Sequence, residues 1–283
     1  MRSMILDGHI HIGPGAPDQA GLKHRLSEAG IGGGILISQR PAADTTSEKR
    51  LANLVAWCRD APDWYPFFWI DPMSETAMDD VAMAVEADVL GFKIICGSFF
   101  VREHGVLKVL HRIAEHGKPV LFHSGILWDG YPSSRFNRPV EFEVLLEVPR
   151  LRFTLAHMSW PWCDECLAVY GKFLAARERR PELSAEMFID ITPGTPPIYR
   201  EEALTKLFTI GYDVQHNICF GTDCGTVNYD AAWAQSWLAR DRAIFDRLGL
   251  PRETVARVLG GNLRRFAGVS NETVVQKLPY PGK

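Results

Sequence analysis

Eight short runs rich in β-branched and aromatic residues recur along this chain, and a helical pattern follows each of them. The runs are Met4–Asp7, Gly34–Ser38, Tyr65–Asp71, Val89–Ile95, Pro119–His123, Leu151–His157, Met187–Thr192 and Ile218–Asp223. Helical periodicity covers Gln19–Ala29, Ser47–Arg59, Glu75–Ala87, Arg102–His116, Val140–Leu146, Trp162–Arg179, Arg200–Ile210 and Asp230–Arg247. A ninth helix, Arg252–Phe266, follows Pro251 at a favoured first helical position. Strict alternation dictates parallel strands, because each return to the same sheet needs a crossover helix.

Two α/β architectures satisfy this pattern, an open doubly wound sheet and a closed (β/α)8 barrel (a TIM barrel). Eight units in about 250 residues is the barrel's usual count and size. No GxGxxG follows the first strand and no GxxxxGK[ST] occurs, which counts against the nucleotide-binding open sheets. The barrel with an extra C-terminal helix is the better reading. No linker or shift of composition divides the chain, so one domain over residues 1–283 is expected, with the tail 270–283 outside the barrel.

In such a barrel the chemistry sits at the C-terminal ends of the strands, and titratable residues collect there. Strand one runs into Asp7-Gly8-His9-Ile10-His11, strand four carries Lys93, strands five and six end at His123 and His157, strand seven carries Asp190 and strand eight ends at Asp223. From Lys93 onward the steps are 30, 34, 33 and 33 residues, each close to one strand–helix–strand unit. On an extended strand, side chains two apart share a face, so Asp7, His9 and His11 are expected to point the same way. Adjacent imidazoles repel when protonated and need partners when neutral, and a divalent metal resolves both problems. His-x-His alone would not define a site; joined to His123, His157 and Asp223 in a barrel it reads as a metal centre. The remaining histidines, 24, 104, 111, 116 and 216, read as solvated side chains.

Composition narrows the partners. Thirty-one basic against 34 acidic residues give a net charge of −3 with no basic block, which argues against nucleic acid. No apolar stretch approaches the roughly 20 residues that span a bilayer, and the start reaches charge before a signal-peptide core forms. The expectation is a cytoplasmic protein with a small-molecule substrate and no membrane. Six scattered cysteines do not resemble a disulfide framework. Cys163 and Cys166 have CxxC spacing without a second half to complete a zinc site, and read as reduced thiols near a helix start.

These residues resemble the amidohydrolase superfamily. Asp7-Gly8-His9-Ile10-His11, His123 in Leu121-Phe122-His123-Ser124-Gly125, His157 in Leu155-Ala156-His157-Met158, Asp223 in Phe220-Gly221-Thr222-Asp223 and the closing Leu259-Gly260-Gly261-Asn262-Leu263-Arg264-Arg265-Phe266 are together similar to its amidohydrolase 2 branch, which includes aminocarboxymuconate-semialdehyde decarboxylases. The resemblance covers residue 5 to about residue 268. It implies one divalent ion, zinc first and manganese second, held by His9, His11, His123 and Asp223, with His157 as acid or base. Asp223 would also take a proton from water. The alternative it implies is a binuclear site in which a carboxylated Lys93 bridges two ions, with His123 and His157 on the second. With one ion, Lys93 faces the substrate. Asp190 and Asp7 read as residues behind the ligands, Asp190 orienting a histidine.

The loops bear on the ligand. Trp128, Tyr131, Arg135 and Arg138 lie between Ser124 and Pro139, Trp160 and Trp162 follow strand six, Phe99, Phe100 and Arg102 follow strand four, and Arg40 follows strand two. Aromatic walls with a few cations suit a small carboxylate-bearing molecule, with Trp128 and Arg135 as contacts. Three functions stay open: metal-assisted hydrolysis of an ester, lactone or amide; non-oxidative decarboxylation of an unsaturated or aromatic acid; and a catalytically silent metal-binding barrel. The tail Ser270–Lys283, with Pro279 and Pro281, either wraps a neighbour in a homo-oligomer or lies loose.

Overall fold

The computed structural model describes residues 4–182 and 185–270, so 271–283 of the expected tail lie outside the described residues. Parallel strands alternate with helices: β1 (Leu6–His11), α1 (Gln19–Glu28), β2 (Gly33–Ile37), α2 (Ser47–Cys58), β3 (Trp64–Trp69), α3 (Ala77–Glu86), β4 (Gly91–Ile94), α4 (His104–Glu115), β5 (Val120–Phe122), β6 (Arg152–Leu155), α5 (Cys163–Arg179), β7 (Glu186–Asp190), α6 (Pro197–Thr209), β8 (Ile218–Cys219), β9 (Cys224–Gly225) and α7 (Ala231–Arg247). Each of β1 to β7 pairs with the next in parallel, and β7 pairs with β8. The piece after β8, β9, pairs with β1. β8 and β9 are two parts of one eighth strand, interrupted by Phe220–Asp223. Across the interruption Gly8 N donates to Phe220 O at 2.8 Å and Asp223 N to His9 O at 3.0 Å. The ring is therefore closed, as expected for a (β/α)8 barrel.

Both faces of the strands are apolar, which is why they read as near-continuous hydrophobic runs. Ile35, Ile37, Tyr65, Phe67, Leu121 and Phe188 fill the interior. Their neighbours Leu36, Phe68, Val120, Phe122, Met187 and Ile189 face the helices. Full burial of each such aromatic or aliphatic side chain is worth roughly 1.5–3 kcal/mol. After α7 the chain runs through α8 (Arg252–Ala256), a single π-helical turn (Arg257–Gly261) and α9 (Asn262–Phe266), which delivers Leu263 and Phe266 into the interior cluster. The Phe266 ring lies 5.1 Å from Phe188 and 5.9 Å from Phe67, so the extra helix plugs the end of the barrel where the strands begin.

Between β5 and β6 the expected helix Val140–Leu146 is instead a 3-10 helix over Pro139–Glu147, preceded by a 3-10 turn at Ser134–Asn137. α5 begins at Cys163, and burial pushes the Cys163 thiol up to about 11 and the Cys166 thiol up to about 12, which keeps both protonated. His24, His104, His111 and His116 are exposed, whereas His216 is half-buried and not solvated as expected. Among the described residues no helix is long and apolar enough to cross a membrane.

Candidate active site

β1 changes phase as it approaches the mouth of the barrel. Its register against β2 shifts between Asp7 and Ile10. Leu6 belongs to the interior cluster and Ile10 to the outer one. Strict alternation from Leu6 would turn His9 outward; the bulge resets the phase, so His9 and His11 both face the mouth. Asp7 does not join them, contrary to the shared face expected from simple alternation. Its buried carboxylate accepts Thr222 N (2.9 Å), Thr222 Oγ1 (2.6 Å), Tyr229 OH (2.8 Å) and His9 N (3.0 Å). Burial raises Asp7 to about 6 in spite of those four donors. It ties the first strand to the segment that carries Asp223.

Asp223 sits in the interruption of the eighth strand with φ +63°, a left-handed conformation that Asp tolerates better than most residues. Its Oδ1 lies 3.6 Å from His9 Nε2 and 3.3 Å from His11 Nε2. Among the described residues these three form the group whose ligand atoms, all within 4.8 Å of one another, could hold a metal ion. The donor set fits a cation. Burial, reinforced by Lys93, holds His9 well below its ordinary pKa, so its ring is neutral. His9 Nδ1–H donates to Asp190 Oδ2 at 2.8 Å, which leaves a lone pair on Nε2 facing the Asp223 carboxylate. A lone pair and a carboxylate oxygen repel unless positive charge lies between them. Two donors each roughly 2.1 Å from a tetrahedral ion stand about 3.4 Å apart, close to both observed separations. Burial would raise Asp223, but positive charge among the imidazoles around it, in the place a cation would take, outweighs that and holds it far below the usual carboxylate range.

Lys93, buried on β4, places Nζ 3.3 Å from His9 Nε2, and burial lowers it to about 8. His157 lies in the 3-10 turn Ala156–Ser159 that follows β6, at φ +60°. Its Nδ1–H donates to Pro193 O at 3.2 Å, which directs the Nε2 lone pair elsewhere, and its ring is 5.4 Å from that of His9. Gly194 is required beside it: a Cβ there would meet His157 Cβ at 2.7 Å. His123, just past β5, stands 5.0 Å from the His157 ring, with Nε2 3.2 Å from Ile126 O. It lies next to the three-residue group and outside it. Burial lowers the pKa of both His123 and His157.

These side chains open into a cavity of about 400 Å³ whose wall includes Arg40, Trp69, Trp128 and Trp160. The family model for amidohydrolases matches residues 16–268. The chain belongs to the amidohydrolase family. No curated protein matches it at a significant level. Among solved structures this amidohydrolase is similar to 4-oxalomesaconate hydratase from Rhodopseudomonas palustris (15% identity, TM-score 0.64, covering 94% of this chain and 96% of that one). It is also similar to 2,6-dihydroxybenzoate decarboxylase from Rhizobium (16%, 0.60, 94% and 98%). A third is a probable 2-pyrone-4,6-dicarboxylic acid hydrolase from Acinetobacter baumannii with citric acid bound (12%, 0.62, 95% and 100%). At these identities the likeness carries the fold, and the reactions named differ. The amidohydrolase family is one of enzymes, and in this chain a His-His-Asp group stands at the mouth of the barrel.

The loop cations of this amidohydrolase are sorted by the structure. Arg135 is exposed and lies over the Phe136 ring (4.7 Å), away from the cavity wall where it was expected. Arg102 pairs with Glu141 and Arg138 with Glu165. Arg40 is the loop arginine that lines the cavity. Trp128 lines it too, at the rim, 81% exposed. Trp69, which was not singled out, stands 5.6 Å from the His11 ring. The signal for it was available, since Trp69 is two residues past the interior Phe67 and closes its strand. Thr222 and Tyr229, the donors to Asp7, carried no such signal.

Proposed function

We propose that this amidohydrolase is a metal-dependent hydrolase acting on a small carboxylate-bearing ester, lactone or amide. The observation that carries the reading is the convergence of His9 Nε2, His11 Nε2 and one Asp223 oxygen at the mouth of the barrel. Those three would hold a divalent cation, zinc by the donor set and manganese as the alternative, with His123 adjacent as the further ligand. When bound there, such a cation would supply Lewis acidity and lower the pKa of a water to about 7. His157, with Nδ1–H fixed on Pro193 O, presents Nε2 as the base that moves a proton between water and leaving group. Asp223, held ionised, stays the charged partner of the cation, and the proton of the water goes to His157. Lys93 and Arg40 supply positive charge for a substrate carboxylate, and Trp69, Trp128 and Trp160 give a flat apolar wall.

Metal analysis of the purified protein, followed by turnover in ¹⁸O-water on a panel of small esters, lactones and amides, tests this reading. About one ion per chain and solvent oxygen in the product are expected. Two ions would favour a carboxylated Lys93 with His123 and His157 on the second metal. Release of carbon dioxide with solvent hydrogen alone in the product would replace hydrolysis by decarboxylation, and bound metal without turnover of either kind would leave a silent barrel.

A further inference from the structure

Two of the imidazoles grouped around Asp223, those of His9 and His157, are held by one four-residue segment. Asp190 Oδ2 takes the Nδ1 proton of His9 at 2.8 Å, and the Pro193 carbonyl takes that of His157 at 3.2 Å. Between them lie Ile191 and Thr192, and the backbone of Ile191 is the part held from outside. The Ile191 N–H donates to Cys219 O, but the β7–β8 register ends at Asp190–Cys219, so the Ile191 carbonyl lies beyond the last strand pair. Arg200, in the first turn of α6, supplies the partner there, with Nη2 2.6 Å from Ile191 O. The guanidinium is in turn fixed by Asp241 of α7 through Nε–Oδ1 (2.9 Å) and Nη2–Oδ2 (2.7 Å). Neither side chain has any exposed surface, and the Trp237 ring lies against the guanidinium at 5.1 Å.

Stability alone does not account for such a pair. Removing two charges from water costs several kcal/mol per ion, and apolar residues of similar volume are often as stable in their place. What an apolar pair cannot do is donate to the Ile191 carbonyl while being held in plane by a bidentate carboxylate. We infer that Arg200 and Asp241 are positioning residues: they anchor Asp190–Pro193 at its middle and thereby set the ring orientation of both His9 and His157. Two outer helices are thus coupled to the two imidazoles through a single backbone carbonyl. This deepens the proposed function and rests on its use of those two histidines.

The test uses metal-free full-length protein with ¹⁵N-labelled histidine. Solvent exchange of the His9 and His157 Nδ1 protons is measured by NMR in the wild type, in Arg200→Lys and in the double variant Arg200→Met/Asp241→Leu. Arg200→Lys keeps the charge opposite Asp241 and loses the planar fork; the double variant removes both charges, so that neither is stranded. With circular dichroism and melting temperature close to wild type, both protons are expected to exchange at least about tenfold faster in each variant. Zinc binding is expected to weaken by about tenfold, the lower end of the effect of losing a group that orients a ligand. Exchange within twofold of wild type in either folded variant would overturn the inference and leave the pair as packing. If the wild type bound no zinc, the hydrolase reading would fail while the exchange comparison still decided this one.

Discussion

Asp190 decides which nitrogen of His9 faces Asp223. It is buried, its pKa is raised by that burial, and its Oδ2 is the acceptor for His9 Nδ1–H. Asp190→Asn retains an oxygen in that place and loses the charge that makes the ring more basic. Zinc affinity is expected to fall about 10–100-fold with little change in melting temperature; isothermal titration returning the wild-type affinity would show that something else sets the ring. Lys93 separates the one-ion and two-ion readings. Lys93→Met is expected to keep one ion per chain and to raise KM for a carboxylate substrate about tenfold, the worth of one charge-assisted hydrogen bond. Loss of one of two ions in the same variant would make Lys93 a ligand. Since burial brings Lys93 to about 8, its charge is present below that pH and lost above it, so KM for an anion is expected to climb as pH rises through about 8. At this scale the sequence put His9, His11, Lys93, His157, Asp190 and Asp223 at strand ends, and the structure brings them to one mouth because strand ends converge in a barrel. It misplaced Arg135 because a loop cation carries no sign of whether a ring such as Phe136 will hold it outside.

The bulge in β1 is where an element decides the site. Three steps along β1, from Asp7 to Ile10, face two along β2, from Gly34 to Leu36. The chains approach so closely there that a Cβ on Gly34 would lie 1.9 Å from Asp7 O. Gly34→Ala must therefore push β1 away and disturb the phase that turns His9 inward. A loss of about 1–3 kcal/mol is expected in urea unfolding, together with a larger loss of zinc affinity than of stability. An unchanged midpoint and affinity would mean that the backbone yields without cost. Simple alternation placed strand one at Met4–Asp7 and gave Asp7 the histidines' face; the strand in fact runs Leu6–His11, and no residue pattern announces an extra residue in a strand. The eighth strand was legible as one run, but its break is not, because two-residue pieces are too short to show a period. The run Val140–Leu146 reads as a helix, and the structure forms 3-10 turns there, where tertiary packing overrides local propensity.

For the molecule as a whole, alternation over eight units was enough to specify a closed ring, since parallel strands joined by helices have few ways to bury both faces. The role of the last helix was not legible: α9 reads as an appended helix, yet it plugs the barrel floor and is locked there by charge. Arg265 Nη1 lies 2.7 Å from Glu186 Oε1 at the start of β7, where Arg177 Nη1 (3.3 Å) and Asn217 Nδ2 (3.0 Å) converge on the same oxygen. Burial would raise Glu186, but Arg265 and Arg177 outweigh it and hold the carboxyl below its ordinary value. A folded pKa lower than the unfolded one, about 4.3, means that the folded state favours the ionised form. The resulting stability is complete above the unfolded value and is lost as pH falls through the folded one. Glu186→Gln is therefore expected to be less stable than wild type at neutral pH, because Arg265 is left buried opposite a neutral amide. The gap measured by urea unfolding should stay constant from pH 7 to about 5 and narrow below about 4 as the wild-type carboxyl takes up its proton. A gap that kept its full size down to pH 3 would show that the charge on Glu186 does not hold the plug, and that Phe266 and Leu263 do so by packing alone.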